Sequence, residues 1–125
     1  RAIVEYRLAQ ADETIKSAVA DREAGRLAGA ISRGYYAMFY AALSLLASRQ
    51  VGSSKHAGII AKLSELFIKN GPLPAHLGRA LNQAFDLRQK ADYREFFAPT
   101  PEQADQVIAW AEEFILQARH VLAGL

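Results

Sequence analysis

The sequence predicts an all-α fold, an up-down bundle of about five helices, and three observations carry that prediction. Apolar residues recur at spacings of three and four along most of the chain. Glycine and proline gather in short clusters between these runs, and no stretch alternates apolar with polar residues at the period of a strand.

The first run extends from Ile3 to about Ala24, with Val4, Leu8, Ala11, Ile15, Ala18 and Val19 on one face and Glu5, Asp12, Glu13, Lys16 and Asp21 on the other. That pattern is a surface helix with one buried stripe, and Gly25 stands where a C-terminal stop is expected. The second helix, from Arg26 to about Arg49, differs. Its residues Leu27, Ile31, Tyr35, Met38, Phe39, Ala42, Leu43, Leu45 and Leu46 cover well over half the circumference. Such a helix must be central in the bundle or buried in an interface, and a homodimer is expected because one small bundle cannot cover it all.

Gly52, Ser53 and Ser54 make a loop in which either serine can cap a third helix, about Lys55 to Lys69, with Ile59, Ile60, Leu63, Leu66 and Phe67 facing the core. Gly71, Pro72 and Pro74 stop it and launch a fourth helix from about Ala75 to Tyr93, with Leu77, Leu81 and Phe85 inward. Thr100 then pairs with Gln103 in a capping box, and Pro101 takes the first helical position, where its missing N–H costs nothing. Val107, Ile108, Trp110, Ala111, Phe114, Ile115, Ala118, Val121 and Leu122 drive the last helix. Short connections favour antiparallel neighbours.

A length of 125 residues fits one domain, and 51% apolar with 22% charged residues is a globular composition. The absence of cysteine excludes a disulfide framework, a thiolate metal site and a cysteine nucleophile, and it fits a reducing compartment, so the cytoplasm is the expected location. The longest apolar stretch, Tyr35 to Ala47, is interrupted by Ser44 and falls short of the roughly 20 residues that span a bilayer, so no membrane association is expected. The net charge of +2 is unevenly spread: residues 26–94 hold 10 Lys/Arg against 3 Asp/Glu, whereas the two ends are acidic. A surface for an anionic partner is one reading. Packing of the acidic ends beside the basic middle is the other, and the favoured one.

Arg26, Arg33, Tyr36 and Tyr40 share one helical face, where arginines could clamp phosphate and tyrosine rings could stack on bases. Alternatively, the tyrosines pack between helices and the arginines pair with acids such as Glu112 or Glu113. In the run Asp86 to Phe97, Arg88 and Asp92 stand at i, i+4 beside Tyr93 and Arg94, with Phe96 and Phe97 following; so much Arg, Asp and aromatic character at a helix end reads as a binding rim. The three histidines have no metal-ligand spacing, so neither a metal nor a cofactor is expected. Of the three, His56, beside Lys55 at a helix start, has the better claim to act as a base near neutral pH, although a solvated surface histidine is the favoured reading. No phosphate-binding glycine loop, Ser/His/Asp triad or carboxylate pair is present.

The runs SRGYYAMFYAALSLL at Ser32 to Leu46, KHAGIIAKLSELFIKNG at Lys55 to Gly71 and RQKADY at Arg88 to Tyr93 together resemble a small stand-alone branch of the HEPN domain family. The resemblance implies a helical bundle that dimerises. It also implies a toxin-antitoxin setting, in which some relatives are metal-independent RNases encoded beside a minimal nucleotidyltransferase antitoxin. Their signature is an arginine, four to six residues, then a histidine, which Arg49 and His56 match. On that resemblance His56 would be the general base for the ribose 2′-hydroxyl and Arg49 the cation at the phosphate, while Arg33, Tyr36, Lys55, Arg88, Asp92 and Tyr93 would hold RNA or the partner. Two readings follow: a module that binds RNA, a nucleotidyltransferase or both, or a ribonuclease toxin.

Overall fold

The computed structural model describes residues 1–52, 55–93 and 95–124. Five α-helices follow one another: α1 (Ala2–Glu23), α2 (Leu27–Ser48), α3 (His56–Leu63), α4 (Ala75–Ala91) and α5 (Pro101–Ala123). One all-α bundle results, with no strand among the described residues. A turn of π-helix, Ser64–Ile68, extends α3, so the expected third helix is continuous in the chain but changes its winding midway. Lys69 N–H donates to the Ser64 carbonyl at 2.8 Å there, one residue farther back than in an α-helix.

Helix α2 is the axis. It packs against α1, α3, α4 and α5, as its apolar circumference requires. Ile31, Met38, Leu45 and Leu46 are wholly buried, and a single hydrophobic cluster joins them to Leu8 of α1, Leu63 of α3, Leu81 of α4 and Phe114 of α5. Close approach is built in at Gly34, where a Cβ would lie 2.7 Å from Val107 Cγ1, so α5 can press directly on the α2 backbone.

Both ends of α2 are set by the same device. At Gly25, φ is +77°; the Gly25 N–H donates to the Arg22 carbonyl and the Arg26 N–H to the Asp21 carbonyl, the paired bonds of a Schellman motif. At the other end Gln50 takes φ +58°, its N–H bonding to the Ala47 carbonyl and that of Val51 to the Leu46 carbonyl. The first reversal makes α1 and α2 antiparallel. The second sends the chain back along α2 before α3 begins, so α3 runs in the same direction as α2: His56 meets Tyr35, and Phe67 lies under Arg49. The four long helices alternate up and down as expected, whereas α3 departs from that order. The capping box at Thr100 and Gln103 forms with both of its bonds, at 2.9 and 3.1 Å.

Charge pairing tightens the bundle. The ion pairs Arg22 to Asp105 and Arg119 to Asp12 hold α1 antiparallel to α5, and His76 reaches Glu113 across α4 and α5. The first two ion pairs join the acidic ends to each other. The basic middle is neutralised in part by Asp21, which takes Arg26 and Arg33, so the acid that takes Arg33 is not Glu112 or Glu113. Asp21 is nearer because the α1–α2 turn folds it back over the second turn of α2.

A residue with a Cβ in the left-handed region costs stability that glycine avoids. Gln50→Gly should therefore stabilise the protein by about 0.5–1 kcal/mol in urea unfolding. A loss of stability would show that the Gln50 side chain, not its backbone, matters.

Candidate functional site

Helices α1 and α4 both flank α2 without touching one another among the described residues. The gap leaves a strip of α2 open to solvent, on which Arg33 is exposed and Tyr36, Phe39, Tyr40 and Leu43 are half-buried. An aromatic ladder runs along it, with ring centroids 6.1 Å apart for Tyr36 and Tyr40 and 6.0 Å for Tyr36 and Phe39. The strip has two characters. Toward the C-terminal half of α2 it is more apolar, Tyr40 sharing a shallow recess with the exposed Tyr6 and with Ala9, Gln10, Glu13 and Thr14 of α1. Toward the N-terminal half it is cationic.

Arg88, from α4, sits at the centre of the cationic half. Its guanidinium lies 5.1 Å from the Tyr36 ring centroid, within cation–π range. Its one ion pair, to Asp92, is long at 3.8 Å, and its Nε–H is buried with no hydrogen-bond partner among the described residues. A buried donor left unmade costs about 1–3 kcal/mol, so this guanidinium is primed for an acceptor. Beside it Tyr93 and Phe96 are 69% and 87% exposed, and Phe97 is half-buried. The structure thus brings Tyr36, Arg88, Asp92 and Tyr93 into one neighbourhood; Arg94 lies outside the described residues, as do Ser53 and Ser54.

His56 lies elsewhere, at the first turn of α3. Asn82 presents its carbonyl Oδ1, which can only accept, so the His56 Nε2–H donates to it at 2.9 Å. The Tyr35 hydroxyl then donates to His56 Nδ1 at 3.0 Å, and the imidazole stacks on Phe85 with centroids 3.8 Å apart. Both ring nitrogens are engaged, so the ring must break a bond before it can take a proton from anything else. Lys55 is exposed at the N-cap of α3. Arg49, at the far end of α2, covers the Phe67 ring at 6.0 Å and lines a hollow with Leu66, Pro72 and His120. Within one chain the described contacts of Arg49 and His56 do not overlap. Tyr35, Asn82 and Phe85, which fix His56, had no signal in the sequence beyond being polar or aromatic at helical spacing.

The comparisons agree with this architecture. The HEPN domain model matches residues 4–121, and the chain belongs to that family. It is similar to a Methanocaldococcus jannaschii protein named "Putative toxin", 36% identical over 93 residues, which are 74% of this chain and 69% of that protein. A second M. jannaschii protein of the same name is 31% identical over 93 residues, 74% of this chain and 63% of its own length. A Thermotoga maritima protein named UPF0332 is 34% identical over 113 residues, covering 90% of this chain and 86% of that protein. The chain is thus an HEPN domain protein, and two of the relatives it resembles carry toxin names. No described helix is long and apolar enough to cross a membrane, and no group of three metal-ligating side chains occurs among the described residues.

Burial, and secondarily Tyr36, raise the pKa of the Tyr35 hydroxyl well above its ordinary 10.0, with Arg88 opposing them. A raised pKa means that the fold holds the neutral phenol. That contribution is intact below pH 10 and is lost as the pH rises above it, because the unfolded chain ionises first. From pH 10 upward, wild-type stability should fall with pH more steeply than that of Tyr35→Phe. Equal slopes would mean that phenol ionisation is not linked to folding.

Proposed function

We propose that this chain is a toxin-type HEPN module of the cytoplasm, homodimeric through the apolar half of the α2 strip, which holds RNA on the cationic half and is restrained by a minimal nucleotidyltransferase partner. The observation that carries the RNA-binding part is Arg88, whose buried Nε–H has no acceptor among the described residues and whose Asp92 pair is stretched. A phosphate oxygen against the solvent-facing part of this guanidinium, whose side chain is 27% exposed, would supply a charge-assisted bond stronger than the stretched Asp92 pair. Tyr36 below the guanidinium and Tyr93 beside it offer ring faces on which unpaired bases stack. Support for the partner rests on the family and on the toxin names of two relatives. The dimer is supported by Tyr6, exposed beside Tyr40, and by Ile3, exposed one turn earlier on α1, at the end of the strip away from Arg33 and Arg88.

The toxin names also favour a second reading, cleavage of RNA through the 2′-hydroxyl with His56 as base and Arg49 as cation. It requires Arg49 of one protomer to reach His56 of the other, and it requires His56 to release Tyr35 or Asn82. Neither requirement applies to binding alone, which is why binding is the main reading.

Arg88→Ala should weaken binding of a single-stranded RNA by about tenfold and lower the slope of log K against log salt by about 0.7, the loss of one phosphate contact. Unchanged affinity would leave Arg88 a purely structural residue. His56→Ala should leave the RNA untouched as the parent does; cleavage by the parent that the variant lacks, with its helical spectrum preserved, would establish the enzyme instead. For the dimer, Leu43 is half-buried on the strip whereas Leu46 is wholly buried. Leu46→Asp should therefore unfold the chain, while Leu43→Asp should give a folded monomer in sedimentation. A parent protein that sediments only as monomer at tens of micromolar would remove the dimer.

A further inference from the structure

At the α1–α2 turn a second group of arginines opens onto the same strip. Asp21 is only 7% exposed, and both of its carboxylate oxygens are taken by arginines from α2 and its N-cap. Arg26 Nε–H donates to Oδ1 at 2.9 Å, and an Arg33 Nη1–H donates to Oδ2 at 2.8 Å. The Asp21 backbone carbonyl also holds the Arg26 N–H at 2.8 Å. Gly29 is required beside them, since a Cβ there would lie 2.6 Å from Asp21 Oδ2 and 3.5 Å from Arg33 Nη1. One buried carboxylate thus fixes the direction of two guanidiniums.

Those guanidiniums are not used up. The side chains of Arg26 and Arg33 remain 65% and 52% exposed, and each gives Asp21 a single N–H out of five. Both line one recess of about 500 Å³, walled by Gly25, Ala28, Gly29 and Pro99. Two cations against one anion leave the group with a net positive charge, and preorganised guanidiniums suit a phosphate better than loose ones. Arg33 stands one helical turn before Tyr36, whose ring carries Arg88. The order along the strip is therefore a guanidinium pair, an aromatic face, and a guanidinium with an unmade bond.

We infer that Arg26 and Arg33 form a second phosphate subsite on a single-stranded RNA path that continues past Tyr36 to Arg88, and that Asp21 is the residue that positions them. The inference rests on the RNA-binding reading above and extends it by one phosphate. It makes Asp21, an acid within an RNA surface, favourable to binding.

The sign of one substitution decides the matter. Removing a negative charge strengthens RNA binding if Asp21 merely neutralises the arginines, but weakens it if Asp21 aims them. Anisotropy of a fluorescein-labelled 12-nucleotide oligouridylate, measured across a salt series, should show Asp21→Asn binding about threefold to tenfold more weakly than the parent. Arg26→Ala, at an exposed side chain that leaves the fold intact, should lower the slope of log K against log salt by about 0.7 and guards against a poorly folded Asp21→Asn protein. Tighter or equal binding by folded Asp21→Asn, or an unchanged slope in Arg26→Ala, overturns the subsite. If Arg88→Ala alone loses affinity, the subsite fails and the Arg88 reading stands; if the parent binds no oligouridylate, both fall. A polyglutamate peptide that binds the parent as tightly as the RNA overturns the phosphate assignment in favour of an acidic protein partner.

Discussion

The structure depends on the need to enclose α2. A helix that is apolar over most of its circumference can be stable in water only if other elements cover nearly all of it, because the free energy gained scales with the apolar area removed from solvent. Four helices do this work, and each owes its position to the face of α2 it covers. Gly34 lets α5 approach the α2 backbone, and the reversal at Gln50 brings α3 back alongside. What the four helices leave uncovered is a single strip between α1 and α4, and that strip carries the candidate site.

Electrostatics then divides the strip. Several ion pairs cross between helices near the surface, where such pairs contribute little to stability and mainly fix orientation. Arg88 and the pair Arg26 and Arg33 are different in kind. Arg88 has no acceptor for a buried donor among the described residues, and the pair shares one carboxylate between two cations. Each arrangement leaves binding capacity directed to the same side of α2, at the end where Tyr36 offers a ring and away from the apolar end at Tyr6 and Tyr40. A dimer contact and an RNA contact can therefore occupy one strip without competing.

His56 illustrates how packing can absorb a residue that looks reactive in isolation. A histidine at a helix start is free to act as a base when its nitrogens face solvent. Here the Asn82 carbonyl, the Tyr35 hydroxyl and the Phe85 ring hold three sides of it, tying α3 to α2 and α4. Those three partners come from positions 35, 82 and 85, and only folding assembles them.

The sequence by itself determined the helices, their order and the family, because those rest on local signals. The period of apolar residues marks α1 and α2, Gly25 stops α1 with a positive φ, and Thr100 with Gln103 starts α5 with both capping bonds. The i, i+4 pair of Arg88 and Asp92 was equally legible, since helix geometry alone places it. Tertiary structure decided the rest. The partner of Arg33 proved to be Asp21, 12 positions earlier, because a left-handed glycine folds the end of α1 onto α2, and no helical periodicity reaches across such a turn. The direction of α3 likewise rested on Gln50 adopting a left-handed backbone that its residue type does not favour, a state imposed by the packing of Val51 and Leu46 into the reversal rather than by local preference.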